Sequence, residues 1–305
     1  MLRAATSSEG ETAMKIGFIG VGNMGGPMCR NIIKNTNHEV VVFDLNPAAL
    51  TECTDLGASA GSSVADVASR CEVVITSLPM PRHVEAVAAE IGAHAQPGTV
   101  YIDLSTNSVD CAQRVHAALA AKGVRMLEAP VSGGVTGATA GTIAIMVGGD
   151  ERLFEEQLPL FSSFGKSIIH VGDVGMGSVA KLCNNMLAFC NAAAAAEALM
   201  LGKMAGIDLQ KLHQVISNSS GNSFGFSSLA AKAFAGDFKA SFALDLAHKD
   251  LRLALQLADS VGMPGMIAPQ VMNLYRVAQA KGWGGDDSSS VIRVYEEALG
   301  QEVRG

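Results

Sequence analysis

The chain is 305 residues long and 49% apolar, enough for two domains with buried cores at roughly 100–200 residues per domain. Its formal net charge of -7, with no run of Lys or Arg, excludes a nucleic-acid face and an anionic membrane surface, since both need clustered cations. Six scattered cysteines without CxxC spacing and seven histidines without an HExxH motif argue for buried thiols, against a disulfide framework and against a metal centre.

The leader from Met1 to Ala13 precedes the first strand and reads as disordered. Arg3 is its only basic residue and Glu9 and Glu11 are acidic, whereas transit peptides are Arg-rich and poor in acids. A presequence here would mean the mitochondrial matrix, and its absence the cytoplasm. Short Val- and Ile-rich runs follow: Lys15–Ile19, Glu39–Phe43, Glu72–Thr76, Thr99–Asp103 and Val124–Glu128. They show little polar alternation, as expected of strands buried on both faces. Helical segments such as Met28–Lys34 and Cys111–Lys122 separate them, which predicts βαβ units, a parallel sheet and right-handed crossovers. Ile143–Val147 and Ser167–Val171 are expected to extend that sheet.

After Gly177 the pattern turns to helix period, over Val179–Met204, Asp208–Asn218, Leu244–Val261, Pro269–Lys281 and Ser289–Leu299. Asp208, Pro269 and Gly282 are start and stop signals. The expected fold is thus α/β: a doubly wound Rossmann domain over 14–172, then an all-helical substrate and oligomerisation domain over 173–305, joined by a long helix. The most apolar stretch, Met186 to Leu201, is interrupted by Asn191 and Glu197 and falls short of the ~20 residues a membrane span requires.

Gly20-Val21-Gly22-Asn23-Met24-Gly25 directly follows the first strand and opens a helix, the context a dinucleotide fingerprint requires. Gly20 permits the tight turn, Gly22 lets backbone approach a pyrophosphate, and Gly25 allows helix and strand to pack closely. Asp44 ends the second strand nineteen residues after Gly25, where an acidic residue bonds a ribose hydroxyl and repels a 2′-phosphate. That favours NAD, although Asp is also common in plain turns. Ser132-Gly133-Gly134 can form an anion-binding concavity, and the pattern fits a loop equally well. Lys181, Asn184 and Asn185 share one helix face at i, i+3 and i+4. They suit either a hydrogen-bonded cluster or a proton-transfer site in which burial lowers the lysine pKa toward neutrality. Lys249 and Asp250, in the run Asp245-Leu246-Ala247-His248-Lys249-Asp250, read by pattern as surface charges.

Four motifs taken together resemble the β-hydroxyacid dehydrogenase family, and within it the 3-hydroxyisobutyrate dehydrogenases, over nearly the whole chain from Met14. They are Phe18 to Met28, Glu128-Ala129-Pro130-Val131-Ser132-Gly133-Gly134, Gly175-Met176-Gly177 with Lys181 and Asn184-Asn185, and Lys249-Asp250. The resemblance implies Lys181 as acid/base, with Ser132, Gly133, Gly134 and Asn185 on the substrate. Gly20, Gly22, Asn23, Met24, Gly25, Asp44, Leu78, Pro79, Thr106 and Lys249 fall to NAD. His83 stands where that group carries Asn, and imidazole can also donate a hydrogen bond there.

The implied reaction is NAD-linked oxidation of a small 3-hydroxy acid, 3-hydroxyisobutyrate to methylmalonate semialdehyde in valine catabolism, by a homodimer or homotetramer. Asp245–Asp250 and Gly284–Tyr295 are similar to tartronate semialdehyde reductases as well, which gives the alternative substrate. A phosphogluconate dehydrogenase fits less, since its sugar phosphate wants basic residues, and Lys181 speaks against the imine-reducing relatives. A non-catalytic NAD-binding protein is opposed by Lys181 beside Asn185.

Overall fold

The computed structural model describes residues 13–305, so the expectation for the leader, Ala13 apart, lies outside the described residues. The chain forms two compact units. One runs through Ser105 and resumes over Asp110–Gly177, and the other comprises Thr106–Val109 and Ser178–Gly305.

The first unit holds a nine-stranded sheet. Its strands are β1 Lys15–Ile19, β2 Glu39–Phe43, β3 Ser59–Ala60, β4 Val73–Thr76, β5 Val100–Asp103, β6 Arg125–Glu128, β7 Val131–Ser132, β8 Ile143–Gly149 and β9 Gly165–Gly172. The helices between them are α1 Gly25–Asn35, α2 Pro47–Thr54, α3 Val64–Arg70, α4 Pro81–His94, α5 Val109–Ala120, α6 Gly134–Ala140 and α7 Glu151–Ser162. The strand order is β3-β2-β1-β4-β5-β6-β8-β7, with β9 on β8. From β3 to β6 every pairing is parallel.

Alternate strand residues feed two cores, one on each face. Ile16, Phe18, Val40, Val42, Val73 and Ile75 join one cluster, while Val41, Val74 and Tyr101 join the other. This two-sided burial is why the strands read as continuous apolar runs. The sheet is parallel as expected from β3 to β6 and departs from that pattern at its far end, where β8 runs antiparallel to β6 and β7. Pro130, which cannot donate a ladder bond, separates β6 from β7, and both then pair with the same strand.

The second unit is helical: α8 Met176–Ala205, which starts at the end of the first unit, then α9 Leu209–Ser217, α10 Phe224–Ala235, α11 Leu244–Ser260, α12 Ala268–Ala280 and α13 Ile292–Leu299. Asp208 caps α9 by accepting the Lys211 N–H at 2.9 Å. The segment expected as one helix from Ser289 begins as a 3-10 turn, Ser288–Val291, before α13. No sequence expectation covers α10, whose second residue, Gly225, is a poor helix former. The glycine is demanded by packing, because a Cβ there would lie 2.9 Å from the Ala188 carbonyl oxygen on α8.

At 30 residues, α8 is long and apolar enough by length and composition to cross a bilayer, which corrects the limit drawn at Met186 and Leu201. In this fold it is the core helix of its unit, with Phe189, Ala193, Ala196 and Leu199 buried in one cluster and Leu182 in another. Four of the cysteines are buried, Cys190 is half-buried, and Cys183 is exposed.

Candidate active site

In the first unit the order β2-β1-β4 puts the topological switch point between β1 and β4, where open α/β sheets bind ligands beyond the strand ends. The chain leaves β1 at Gly20, whose φ of 90° favours glycine. A Cβ on Gly20 would collide with the Ser77 carbonyl oxygen, so the turns after β1 and β4 touch there. A Cβ on Gly25 would collide with the Gly20 carbonyl oxygen. Gly22 differs: a Cβ there meets nothing within 4 Å, its φ is not positive, and it is exposed. Neither packing nor backbone strain asks for glycine at Gly22, whereas the approach of a phosphate would. Asn23 is exposed and Met24, half-buried, brings no side-chain cap to α1, so no side chain competes with an anion at the helix start, where the Gly26 N–H turns inward to the Gly22 carbonyl at 2.8 Å.

Asp44 sits just past β2, its Oδ2 accepting the Val21 N–H at 2.9 Å and its Oδ1 the Asn46 N–H at 2.8 Å. The loop after β4 is fixed from β5: the Leu78 N–H donates to Ser105 Oγ at 2.9 Å, and the Ser105 N–H to Asp103 Oδ1 at 3.1 Å. Pro79 is exposed, and His83 is half-buried in the first turn of α4, with its N–H on the Met80 carbonyl. These residues fit a dinucleotide, with an open glycine at the turn, an uncapped helix start and an acidic residue after β2.

Ser132 closes β7 half-buried, and Gly133 and Gly134 follow exposed with φ of 132° and 62°. Four residues before Ser132, buried Glu128 was missed as a working residue. Its Oε1 accepts the Gly175 N–H at 2.5 Å and the Gly177 N–H at 2.9 Å, so a carboxylate holds the positive end of α8. Gly148 and Gly177 make room for it, since a Cβ on Gly148 would lie 2.6 Å from Glu128 Oε1. The signal was present: a Glu directly after the apolar Met126-Leu127 and before Ala129-Pro130, with a Gly-x-Gly elsewhere in the chain.

In the second unit Lys181, Asn185, Lys249 and Asp250 are all buried, none more than 8% exposed. This corrects Lys249 and Asp250 as surface charges. Asn185 Nδ2 donates to Asp250 Oδ2 at 2.7 Å, and Lys249 Nζ lies 2.9 Å from Asp250 Oδ1 and donates to the Thr106 carbonyl at 3.2 Å. Asn184, though one residue from Asn185, is exposed, and its Nδ2 donates to Asn185 Oδ1 at 3.0 Å. Burial pushes the Lys181 ammonium down to about 8, aided by the charge of Lys249 and opposed by Asp250. A lysine so placed exchanges a proton near neutral pH.

Two family models match. One, described as the NAD binding domain of 6-phosphogluconate dehydrogenase, covers residues 15–172; the other, described as the NAD-binding of NADP-dependent 3-hydroxyisobutyrate dehydrogenase, covers 175–295. The chain is 39% identical to 2-(hydroxymethyl)glutarate dehydrogenase of Eubacterium barkeri over 97% of its own length and 99% of that protein's. It is also 39% identical to 3-hydroxyisobutyrate dehydrogenase of Pseudomonas aeruginosa, over 92% and 98% respectively. Among solved structures, a Mycobacterium tuberculosis 3-hydroxyisobutyrate dehydrogenase with L-serine superimposes with a TM-score of 0.85 at 35% identity, covering 93% of this chain and 99% of that one.

Proposed function

The chain belongs to the β-hydroxyacid dehydrogenase family as an NAD-dependent hydroxy-acid dehydrogenase, and on that premise we propose that it oxidises 3-hydroxyisobutyrate to methylmalonate semialdehyde. The observation that carries this reading is buried Lys181, with a pKa of about 8 and buried Asn185 one helical turn on. Neutral Lys181 takes the proton of the substrate hydroxyl; protonated, it returns a proton to the carbonyl oxygen in reverse. Asn185 orients that hydroxyl, and Ser132 with the Gly133 and Gly134 N–H groups takes the carboxylate. NAD supplies the hydride acceptor. Gly20, Gly22, Asn23, Met24 and Gly25 hold its pyrophosphate and Asp44 its ribose, while Leu78, Pro79, His83, Thr106 and Lys249 line its remaining length.

Three substrate readings compete on specific grounds. The Eubacterium barkeri relative is named for a dicarboxylate, and the Mycobacterium tuberculosis structure holds L-serine; tartronate semialdehyde is the alternative drawn from Asp245–Asp250 and Gly284–Tyr295. The test is NAD-dependent oxidation of 3-hydroxyisobutyrate, L-serine and 2-(hydroxymethyl)glutarate, beside reduction of tartronate semialdehyde with NADH. A kcat/KM highest for 3-hydroxyisobutyrate supports the proposal and a place in valine catabolism; a higher value for another substrate replaces it. A homodimer or homotetramer joined through the helical unit belongs to the same proposal. It is supported by exposed Leu187, Leu201 and Met204 along α8 and tested by light scattering, where a monomer would refute it.

A further inference from the structure

A continuous polar chain crosses the interior of the second unit. It runs from the Thr106 carbonyl to Lys249 Nζ at 3.2 Å, across the 2.9 Å ion pair to Asp250 Oδ1, and from Asp250 Oδ2 to Asn185 Nδ2 at 2.7 Å. Lys249, Asp250 and Asn185 are 6%, 1% and 6% exposed, so water replaces none of these contacts cheaply. Neighbours on α11 thus face two ways. Lys249 engages the 106–109 segment, and Asp250 holds the carboxamide of α8. Asp250 also restricts the Asn185 amide to one orientation: Nδ2 is committed to the carboxylate, and Oδ1 accepts from Asn184.

We propose that Asp250 is a positioning residue that couples cofactor binding to substrate binding, because one carboxylate fixes both the cofactor-side lysine and the substrate-side carboxamide. The inference rests on the reading above, in which Thr106 and Lys249 meet the cofactor and Asn185 meets the substrate hydroxyl. Ordering Lys249 with the first ligand sets Asp250, and Asp250 sets Asn185, so the second ligand binds to groups already ordered. The coupling is reciprocal: each ligand tightens the other by the same factor.

The test is titration of NADH by fluorescence, alone and with saturating 3-hydroxyisobutyrate, which cannot react with the reduced cofactor; L-serine serves as a second probe. In the unmodified enzyme the hydroxy acid tightens NADH about fivefold or more. Asp250→Asn keeps the shape and loses the charge; the readout is the ratio of its two NADH affinities, with and without hydroxy acid, and that tightening falls to about onefold. A residue that merely supported the fold would weaken both titrations alike and leave the ratio at its unmodified value. Lys249→Met cuts the chain at its other end and removes the tightening too, and the double variant loses no more than either single one. Unchanged tightening in Asp250→Asn overturns the proposal, as does its absence from an unmodified enzyme that oxidises the same hydroxy acid. Failure to oxidise any hydroxy acid is a separate readout and overturns the functional reading, with the coupling that rests on it.

Discussion

Asp44 Oδ2 accepts the backbone N–H of Val21 at 2.9 Å, tying the end of β2 to the middle of the glycine-rich turn. Leu45 beside it is 91% exposed, and neither Leu45 nor Asn46 carries a positive charge. A 2′-phosphate would meet a fixed carboxylate with no cation to offset it. NAD is therefore expected to exceed NADP in kcat/KM by about tenfold or more, roughly 1.4 kcal/mol. Asp44→Ser combined with Leu45→Arg should narrow that ratio. Equal use of both cofactors by the unmodified enzyme would defeat the assignment.

Gly22 and Gly25 are expected to respond oppositely to the same substitution. Gly22→Ala adds a methyl to open space, so the unfolding free energy should change by no more than about 0.5 kcal/mol. NADH affinity should fall about tenfold or more, because the methyl occupies the phosphate approach. Gly25→Ala drives a methyl into the Gly20 carbonyl oxygen and should cost several kcal/mol of stability. Thermal melts and NADH titration on both variants decide the matter. A Gly22→Ala protein that binds NADH normally would remove Gly22 from the site.

The direction of proton transfer sets opposite pH dependences for the two reactions. In the proposed mechanism oxidation needs Lys181 neutral, so its rate should rise with pH through about 8. Reduction needs Lys181 protonated and should fall through the same region. Lys181→Ala should lower kcat by about 10²–10⁴-fold and leave NADH binding in place. Initial rates in both directions across pH, with NADH titration of the variant, provide the check. Undiminished turnover in Lys181→Ala would end its role.

The same lysine should carry a stability cost. Its folded pKa of about 8 lies below the ordinary 10.5, so the unfolded chain holds that proton more tightly between the two values. Stability from this group therefore rises with pH from about 8 to 10.5, and below 8 the buried charge costs roughly 3 kcal/mol. Lys181→Met is expected to be inactive yet more stable at pH 7, with the gain shrinking as pH approaches 10. Urea unfolding of both proteins at pH 7 and pH 9.5 tests this. A variant less stable at pH 7 would show that Lys181 holds its place by contacts that outweigh its desolvation.

Much of the cofactor half was legible because its determinants are local. The bounds of β1 and β2 agree with the expected runs, and the glycine turn reads directly because the turn angle at Gly20 and the contact of Gly25 with Gly20 are set within six residues. The antiparallel pairing of β8 was not legible, because nothing in Ile143–Gly149 states which neighbour it meets. Helix α10 was missed for a related reason: Gly225 weakens the local signal, and only the nearby backbone of α8 explains it.

By itself the sequence determined the α/β order, the glycine turn after β1, the place of Asp44 just past β2 and the place of Lys181 on a long helix. These follow from residue type and short spacing, which act through backbone sterics and strand or helix period. Only the tertiary structure decided which charges are buried. Lys249 and Asp250 carry the composition of a solvated helix face, yet they lie inside because Thr106 and Asn185, 143 and 65 positions away in the chain, supply their partners. Glu128 likewise reaches Gly175 and Gly177 across 47 and 49 positions. A charge is stable in the interior only where such partners converge, and convergence over those separations is a property of the fold.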